Sequence, residues 1–316
     1  MLFTKPNKDD ILNAYTRVSA FIHKTPVFSS DSLNKQFEAK LFFKCENFQK
    51  AGSFKSRGAM NAALSIPKSE LSLGLATHSS GNFAQALARA AKILNVPAFI
   101  VMPENAPEVK IDAVRGYGGE ITFCEPTLSA RENTLEKVIK ATGAKEIHPY
   151  NDYDIIAGQG TAALEFCQEI DNLEILLCPV GGGGLLSGTA LSASYFGRNI
   201  TTIACEPIGA DDAYRSMIAG KIIPSIEPNT IADGLLTSLG ERNFPIIQQY
   251  VDEIVTVSEE AIIEAMKLIY ERLKIVIEPS SAVPMAAIIE KKVKVSNKNV
   301  GIIVSGGNVD LSKISF

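Results

Sequence analysis

At 316 residues, with 46% hydrophobic and 21% charged side chains, the chain has ordinary globular composition and enough length for two lobes. A net charge of -4 without a basic block argues against nucleic acid as a partner, so a small anionic ligand must be held by local groups. The cysteines Cys45, Cys124, Cys167, Cys178 and Cys205 are scattered with no CxxC pair, which argues against a disulfide framework or a zinc site.

Met1–Lys8 lacks the apolar core of a signal peptide, and no later run is long enough to span a bilayer. The expected compartment is therefore the cytoplasm, with no membrane partner. Asp9 or Asp10 is expected to cap a helix over 10–21, striped by Ile11, Ala14, Val18 and Phe21, and Thr25-Pro26 ends it. A strand over 41–46 feeds the turn Gly52-Ser53-Phe54-Lys55 and a helix through Leu64. Strands at 75–77, 98–102 and 120–124 alternate with helices at 83–94, 109–117 and 129–142. The alternation resumes with a helix over 155–170, a strand over 174–180, a helix through Ser194 and a strand over 201–205. A strand at 254–257, a helix at 259–273 and a strand at 300–304 complete the pattern. It implies parallel sheets in an α/β fold of two lobes: residues 75–150 as a small lobe, 1–74 with 151–316 as a large one, and ligand in the cleft at strand C-terminal ends.

Four stretches carry chemistry. Lys55 opens a helix, where the positive end of the dipole offers a cation nothing. It is either a solvated first-turn lysine or an amine held partly neutral for Schiff-base chemistry. Gly181-Gly182-Gly183-Gly184, between a strand and a helix, presents N–H groups unobstructed by Cβ atoms and suits an anion. The spacing fits neither the dinucleotide fingerprint nor the Walker loop, which leaves a phosphate site of another kind. Ser79-Ser80-Gly81-Asn82 is either an ordinary helix cap or a grip for a carboxylate. Ser305-Gly306-Gly307-Asn308 follows an apolar strand, where ligands bind but plain loops also occur. Separately, Glu206, Asp211 and Asp212 form either a solvated acidic turn or oxygen ligands for a hard cation. A lysine, a phosphate cradle and a carboxylate grip together suggest pyridoxal phosphate carried on Lys55 and an amino-acid substrate.

In this order, Gly52-Ser53-Phe54-Lys55-Ser56-Arg57-Gly58-Ala59, Ser79–Asn82, Gly181–Gly184 and Ser305–Asn308 resemble the serine/threonine dehydratase family, enzymes of the tryptophan-synthase-β fold type (fold type II). The likeness runs from about Asp10 to Leu311 and is greatest to the serine racemase and 3-hydroxyaspartate dehydratase branch. The resemblance implies that Lys55 is the Schiff-base lysine and the base on one face of the substrate. Phe54 would pack beside the cofactor ring and Asn82 would bond its phenolic oxygen. Gly181, Gly182, Gly183, Gly184 and Leu185 would hold the phosphate, and Ser305 would meet the pyridine nitrogen. Ser79, Ser80, Asn82, Arg131 and Ser238 would bind substrate, with Ser80 acting from the face opposite Lys55. Glu206, the Ala210 carbonyl and Asp212 would bind Mg²⁺ (or Ca²⁺ or Mn²⁺).

The implied reaction is β-elimination from L-serine, L-threonine or 3-hydroxyaspartate to a keto acid and ammonia, with racemisation as an accompanying activity. The implied assembly is a homodimer, and no C-terminal regulatory domain is expected after the serine motif. Alternatives are a β-replacement synthase of the cysteine synthase type and a non-catalytic sensor on the same fold. Phe83 stands where the family has histidine, and Tyr150-Asn151 where the racemase branch has a differently placed asparagine. Both departures fall near the expected pocket.

Overall fold

Short apolar runs bounded by turn residues alternate with helix-forming runs along most of this chain, and most of the short runs become strands. The computed structural model describes residues 1–106 and 108–313. The strands are β1 (Val27–Phe28), β2 (Lys40–Cys45), β3 (Leu75–His78), β4 (Ala98–Pro103), β5 (Glu120–Cys124), β6 (Lys145–Glu146), β7 (Ile175–Pro179), β8 (Thr201–Pro207), β9 (Glu253–Val257) and β10 (Asn299–Val304). Among the described residues they form a 6-stranded sheet, ordered β1-β2-β10-β7-β8-β9, and a 4-stranded sheet, ordered β5-β4-β3-β6. Every pairing is parallel except that of β1 with β2. The α/β architecture with two parallel-sheet lobes is thus the one expected.

The last strand in sequence lies in the middle of the larger sheet. β10 pairs with β2 through Val304 opposite Cys45, and with β7 through Ile302 opposite Leu177. Its apolar run Val300, Ile302, Ile303 and Val304 is fully buried, as both faces of a central parallel strand must be. The C-terminal ends of β2, β10 and β7 therefore lie side by side, which places the lysine turn, Ser305 and the four glycines together. A bridge between Ser53 and Gly306, and a 3.0 Å hydrogen bond from Phe54 N–H to the Ser305 carbonyl, tie two of these loops directly.

Helix packing completes the placement. The helix Tyr153–Glu169 is buried along nearly its whole length and touches both helices that carry site residues. A Cβ on Gly158 would lie 2.6 Å from the Cα of Gly58 in the helix Lys55–Leu64. A Cβ on Gly188, in the helix Gly184–Phe196, would lie 2.5 Å from the Gly160 nitrogen. Glycine is required at these crossings because the backbones are in contact.

Beneath the lysine helix lies a buried ionic cluster without obvious sequence warning. Arg57 donates from Nε and Nη2 to Glu46 at 2.7 and 2.8 Å, and from Nη1 and Nη2 to Glu165 at 2.8 and 2.9 Å. Lys44 Nζ lies 2.7 Å from Glu165 and donates to the Thr25 carbonyl at 2.7 Å, while Thr25 Oγ1 donates to Glu46 at 2.5 Å. All four charged side chains are excluded from solvent. Burial alone would raise the Glu46 carboxyl, but the charge and hydrogen bonds of Arg57 outweigh it and hold the group below its usual range.

Some boundaries differ from expectation. The first helix spans Lys8–Val18 and is capped by Asn7, whose side chain accepts from Asp10 N–H while Asp10 accepts from Asn7 N–H. Asp10 thus completes a capping box rather than being the cap itself. The helix Pro279–Ile289 was not foreseen: it is buried on all sides, so no amphipathic stripe marks it, and Pro284 lies inside it. The core around the smaller sheet also draws in Val18, Ile22, Ala59 and Met60 from before residue 75.

Removing Arg57 would leave Glu46 buried without a cationic partner and Glu165 with Lys44 alone. Arg57→Met is expected to cost about 3–5 kcal/mol of unfolding free energy, read as a lowered urea midpoint. An unchanged midpoint would show that the cluster does not hold the lysine helix.

Candidate active site

The loops at these strand ends enclose a cavity of about 310 Å³ between the two sheets. One wall carries Phe54, Lys55, Ser305, Glu278 and the four glycines; the other carries His78 through Phe83, Lys110 and Arg131. Lys55 is the first residue of its helix, and Nζ donates to the Pro149 carbonyl at 3.1 Å. The same amine lies 5.0 Å from the Phe54 ring centre and 5.7 Å from that of Phe83. Burial brings its pKa down to about 8, against an opposing pull from Glu278. A solvated lysine would not behave so; this amine is neutral in appreciable part near neutral pH.

The glycine loop has walls as well as donors. Among the described residues, no N–H from Gly181 through Leu185 donates to another group of the chain. Gly183 has φ +91°, and a Cβ there would also meet Asn243 at 2.9 Å. A Cβ on Gly182 would fall 2.5–2.6 Å from the Tyr150 ring. Two neighbouring segments therefore press on the loop, and the free N–H groups at the helix start face the cavity, where an anion suits both hydrogen bonding and dipole.

The opposite wall begins where β3 ends. Ser79 N–H donates to the Val101 carbonyl at 3.1 Å, and Ser79 Oγ accepts from Gly81 N–H at 3.3 Å, which shapes the loop. Ser80 faces the cavity. Arg131 sits in the first turn of the helix Leu128–Thr142 and, among the described residues, forms no ion pair. Asn82 Nδ2 donates to both carboxyl oxygens of Glu278 at 2.9 Å, and Asn82 Oδ1 accepts from Asn308 Nδ2 at 2.9 Å. Burial pushes the Glu278 carboxyl up to about 7. Lys110 and Asp233 form an ion pair across the cleft. His148 Nδ1 accepts the N–H groups of Tyr150 and Asn151 at 3.3 and 2.9 Å, and burial brings both His148 and its neighbour His78 down to about 4. Both imidazoles are neutral.

A cavity with an activated lysine and an anion cradle matches a recognised family. Residues 18–306 match the profile described as pyridoxal-phosphate dependent enzyme. This chain belongs to that family. It is 51% identical over 310 residues to serine racemase of Dictyostelium discoideum, covering 97% of this chain and 96% of that protein. It is 49% identical over 311 residues to β-hydroxyaspartate dehydratase of Paracoccus denitrificans, covering 98% and 99%. The structure of maize serine racemase superposes with a TM-score of 0.95 at 45% identity, covering 97% of this chain and 94% of that one.

The residues fit the family cofactor, because the partly neutral amine of Lys55 and the undonated N–H groups of Gly181–Leu185 open on one space. Phe54, Lys55, Ser79, Ser80, Asn82, Arg131, Gly181, Gly182, Gly183, Gly184, Leu185 and Ser305 all line it. Ser238 does not. Its hydroxyl accepts the N–H of Ser225 at 2.8 Å, and its neighbour Thr237 lines the cavity instead. Asn82, expected to meet cofactor and substrate, already binds Glu278 and Asn308. Of the two departures from the family pattern, Phe83 and Tyr150 line the cavity, while Asn151 turns away to accept from Arg242 N–H at 2.8 Å.

Glu278, Lys110 and Asp233 were not singled out from sequence. For Glu278 a signal existed: an acidic residue just before Pro279, which starts a helix after the apolar run Ile275-Val276-Ile277. Ser281 was likewise missed; its Oγ lies 3.0 Å from Ser305 Oγ and bonds both N–H and C=O of Gly306 at 2.7 Å, fixing the serine loop.

Gly182→Ala must displace the Tyr150 ring, at a cost of about 1–3 kcal/mol. Pyridoxal phosphate affinity, titrated by absorbance, is expected to fall about five- to hundredfold, and adding Tyr150→Ala should recover part of it. Undiminished affinity in the single variant would remove steric necessity as the reason for glycine.

Proposed function

We propose that this protein eliminates water from a small β-hydroxy amino acid, releasing a keto acid and ammonia, and that it also racemises such a substrate. The carrying observation is that Lys55 and Ser80 line one cavity from opposite walls, with the Gly181–Leu185 donors on the wall of Lys55. The names of the relatives, a racemase and a dehydratase at about half identity, support the pairing of these activities. Bound pyridoxal phosphate supplies the electron sink that makes a Cα proton removable.

The side chains do the rest. Ser79, Ser80 and Arg131 hold the substrate carboxylate; Arg131 lines the cavity and, among the described residues, forms no ion pair. A Lys55 amine with a pKa of about 8 is neutral often enough to accept the Cα proton on its own face. The Ser80 hydroxyl, on the other wall, can exchange a proton on the second face. Phe54 and Phe83 place apolar rings near the amine, excluding water and favouring its neutral form. Ser305 offers a neutral hydroxyl in a pair with Ser281, so it would leave a facing ring nitrogen largely unprotonated and favour prompt elimination. Residues 75–150 act as a small mobile lobe in this reading: Asn82–Glu278 and Lys110–Asp233 close the mouth of the cleft through polar groups, while the lobe's apolar core joins the helix Lys55–Leu64 through Ala59 and Met60.

The acidic cluster belongs to the same proposal as a cation site. Glu206 accepts from Ala213 and Tyr214 N–H at 2.9 Å each, while both carboxyl oxygens of Asp212 are buried without a hydrogen-bond partner. The Ser225 hydroxyl and Leu239 N–H approach Asp212, but neither makes a bond of good geometry. Asp211 instead pairs with Arg215 at 2.6 Å, so it is not offered as a ligand. Burial pushes Glu206 up to about 8 and Asp212 up to about 6, the condition of carboxylates short of a counter-charge. Among the described residues no three ligating side chains cluster, so Glu206, Asp212 and the Ala210 carbonyl would hold Mg²⁺, Ca²⁺ or Mn²⁺ with water completing the shell.

Lys55→Ala is expected to abolish the visible absorbance of the holoenzyme and all turnover; retention of both would sink the assignment. Ser80→Ala should remove D-product formation by at least about a hundredfold while elimination from L-serine falls much less. Equal losses would make Ser80 a binding residue only. Mg²⁺ at a hundredfold over its Kd is expected to stabilise the protein by about 2.7 kcal/mol, seen as a raised Tm. Asp212→Asn should abolish that response, and a wild-type protein indifferent to Mg²⁺ and to chelator would leave the cluster an acidic turn.

A further inference from the structure

We propose that Lys110 selects substrates carrying a second carboxylate, by exchanging its ion pair with Asp233 for one with that group; this deepens, and rests on, the reading of the cavity as an amino-acid site. The charges facing the cleft set the question. Lys55, Lys110 and Arg131 are its cations, Asp233 and Glu278 its acids, and the neutral His78 adds nothing. Lys55 is committed to the cofactor and Glu278 to Asn82. Arg131 alone, with the serine hydroxyls, suffices for one carboxylate. Lys110 is a cation beyond that need.

Its position is suited to a second one. Lys110 Nζ lies 3.8 Å from the point a Cβ on Gly81 would occupy, over the same Ser79–Asn82 loop that grips the first carboxylate. A ligand seated on that loop is therefore within reach of both Arg131 and Lys110. Lys110 belongs to the helix Glu108–Gly116 of the smaller lobe, and Asp233 to the turn Asp233–Leu235 of the larger, so their pair spans the mouth of the cleft.

The pair is also unequal. The Lys110 side chain is 12% exposed and that of Asp233 45%. Asp233 can return to water at little cost, because its own carboxylate is already nearly half exposed and an accessible ion pair adds little. The more enclosed ammonium gains more from a carboxylate delivered into the cavity by the rest of a bound substrate. A β-hydroxy amino acid with a carboxylate on Cβ would displace Asp233; one with hydrogen or methyl there would leave the pair intact.

The test compares kcat/KM for 3-hydroxyaspartate with that for L-serine in the holoenzyme, together with calorimetric binding of the unreactive analogues malate and lactate. Lys110→Gln is expected to lower the 3-hydroxyaspartate to serine ratio at least tenfold, through KM, and to erase the preference for malate. Lys110→Arg, which keeps the charge, should retain most of both, and Asp233→Asn should raise both. A ratio within twofold of wild type in Lys110→Gln, or malate binding no tighter than lactate in the wild type, overturns the proposal. Wild-type protein that turns over no hydroxy amino acid would overturn the functional reading instead, and the malate–lactate comparison would still decide the role of Lys110.

Discussion

The buried cluster of Arg57, Glu46, Glu165 and Lys44 is the constraint on which the site depends. Its members come from β2, the turn after it, the lysine helix and the helix Tyr153–Glu169, and none touches solvent. Two cations and two anions balance, and the guanidinium fork meets two carboxylates at once, a geometry that tolerates little displacement. Arg57 lies two residues beyond Lys55, so this charge network anchors the first turn of the lysine helix without lining the cavity. Glycine pairs do the complementary work on the apolar side, letting the helix Tyr153–Glu169 carry the lysine helix and the phosphate-loop helix at backbone contact.

The cleft itself is held differently. The smaller sheet's core includes Ala59 and Met60 of the lysine helix, whereas several contacts at the mouth of the site are polar and partly accessible: Asn82 with Glu278 and Asn308, and Lys110 with Asp233. Such contacts are each worth about a kilocalorie and exchange readily with ligand groups. A rigid frame under Lys55 and a lightly fastened opposite wall are what a site needs when one wall carries the cofactor and the other must admit substrate.

The residues that depart from the family pattern belong to this arrangement. Phe83 is buried and its ring centre lies 5.7 Å from the Lys55 amine, so an apolar ring stands beside that amine. Tyr150 packs on Gly182 and stacks edge-on with His148 at 4.6 Å, so its ring forms one side of the glycine loop's surroundings, and burial lowers the His148 pKa.

The α/β class, the lysine, the four glycines and the two serine loops were legible in the sequence, because each is a local pattern: an alternation of strand and helix runs, or adjacent residues whose small size or hydroxyls have one evident use. The first helix cap and the helix Pro279–Ile289 were misread or missed for local reasons too, one being shared by Asn7 and Asp10 and the other lacking a polar face. What only the tertiary structure decided is which distant residues meet. Glu278 reaches Asn82, Lys110 reaches Asp233, and Ser238 turns to Ser225 instead of the cavity. No spacing along the chain encodes these, since they follow from β10 inserting between β2 and β7 and from the placement of one sheet against the other. The sequence by itself determined that an amine stands at Lys55, between a strand end and a helix; the fold determined how neutral that amine is and which groups share its cavity, because burial and proximity are properties of packing.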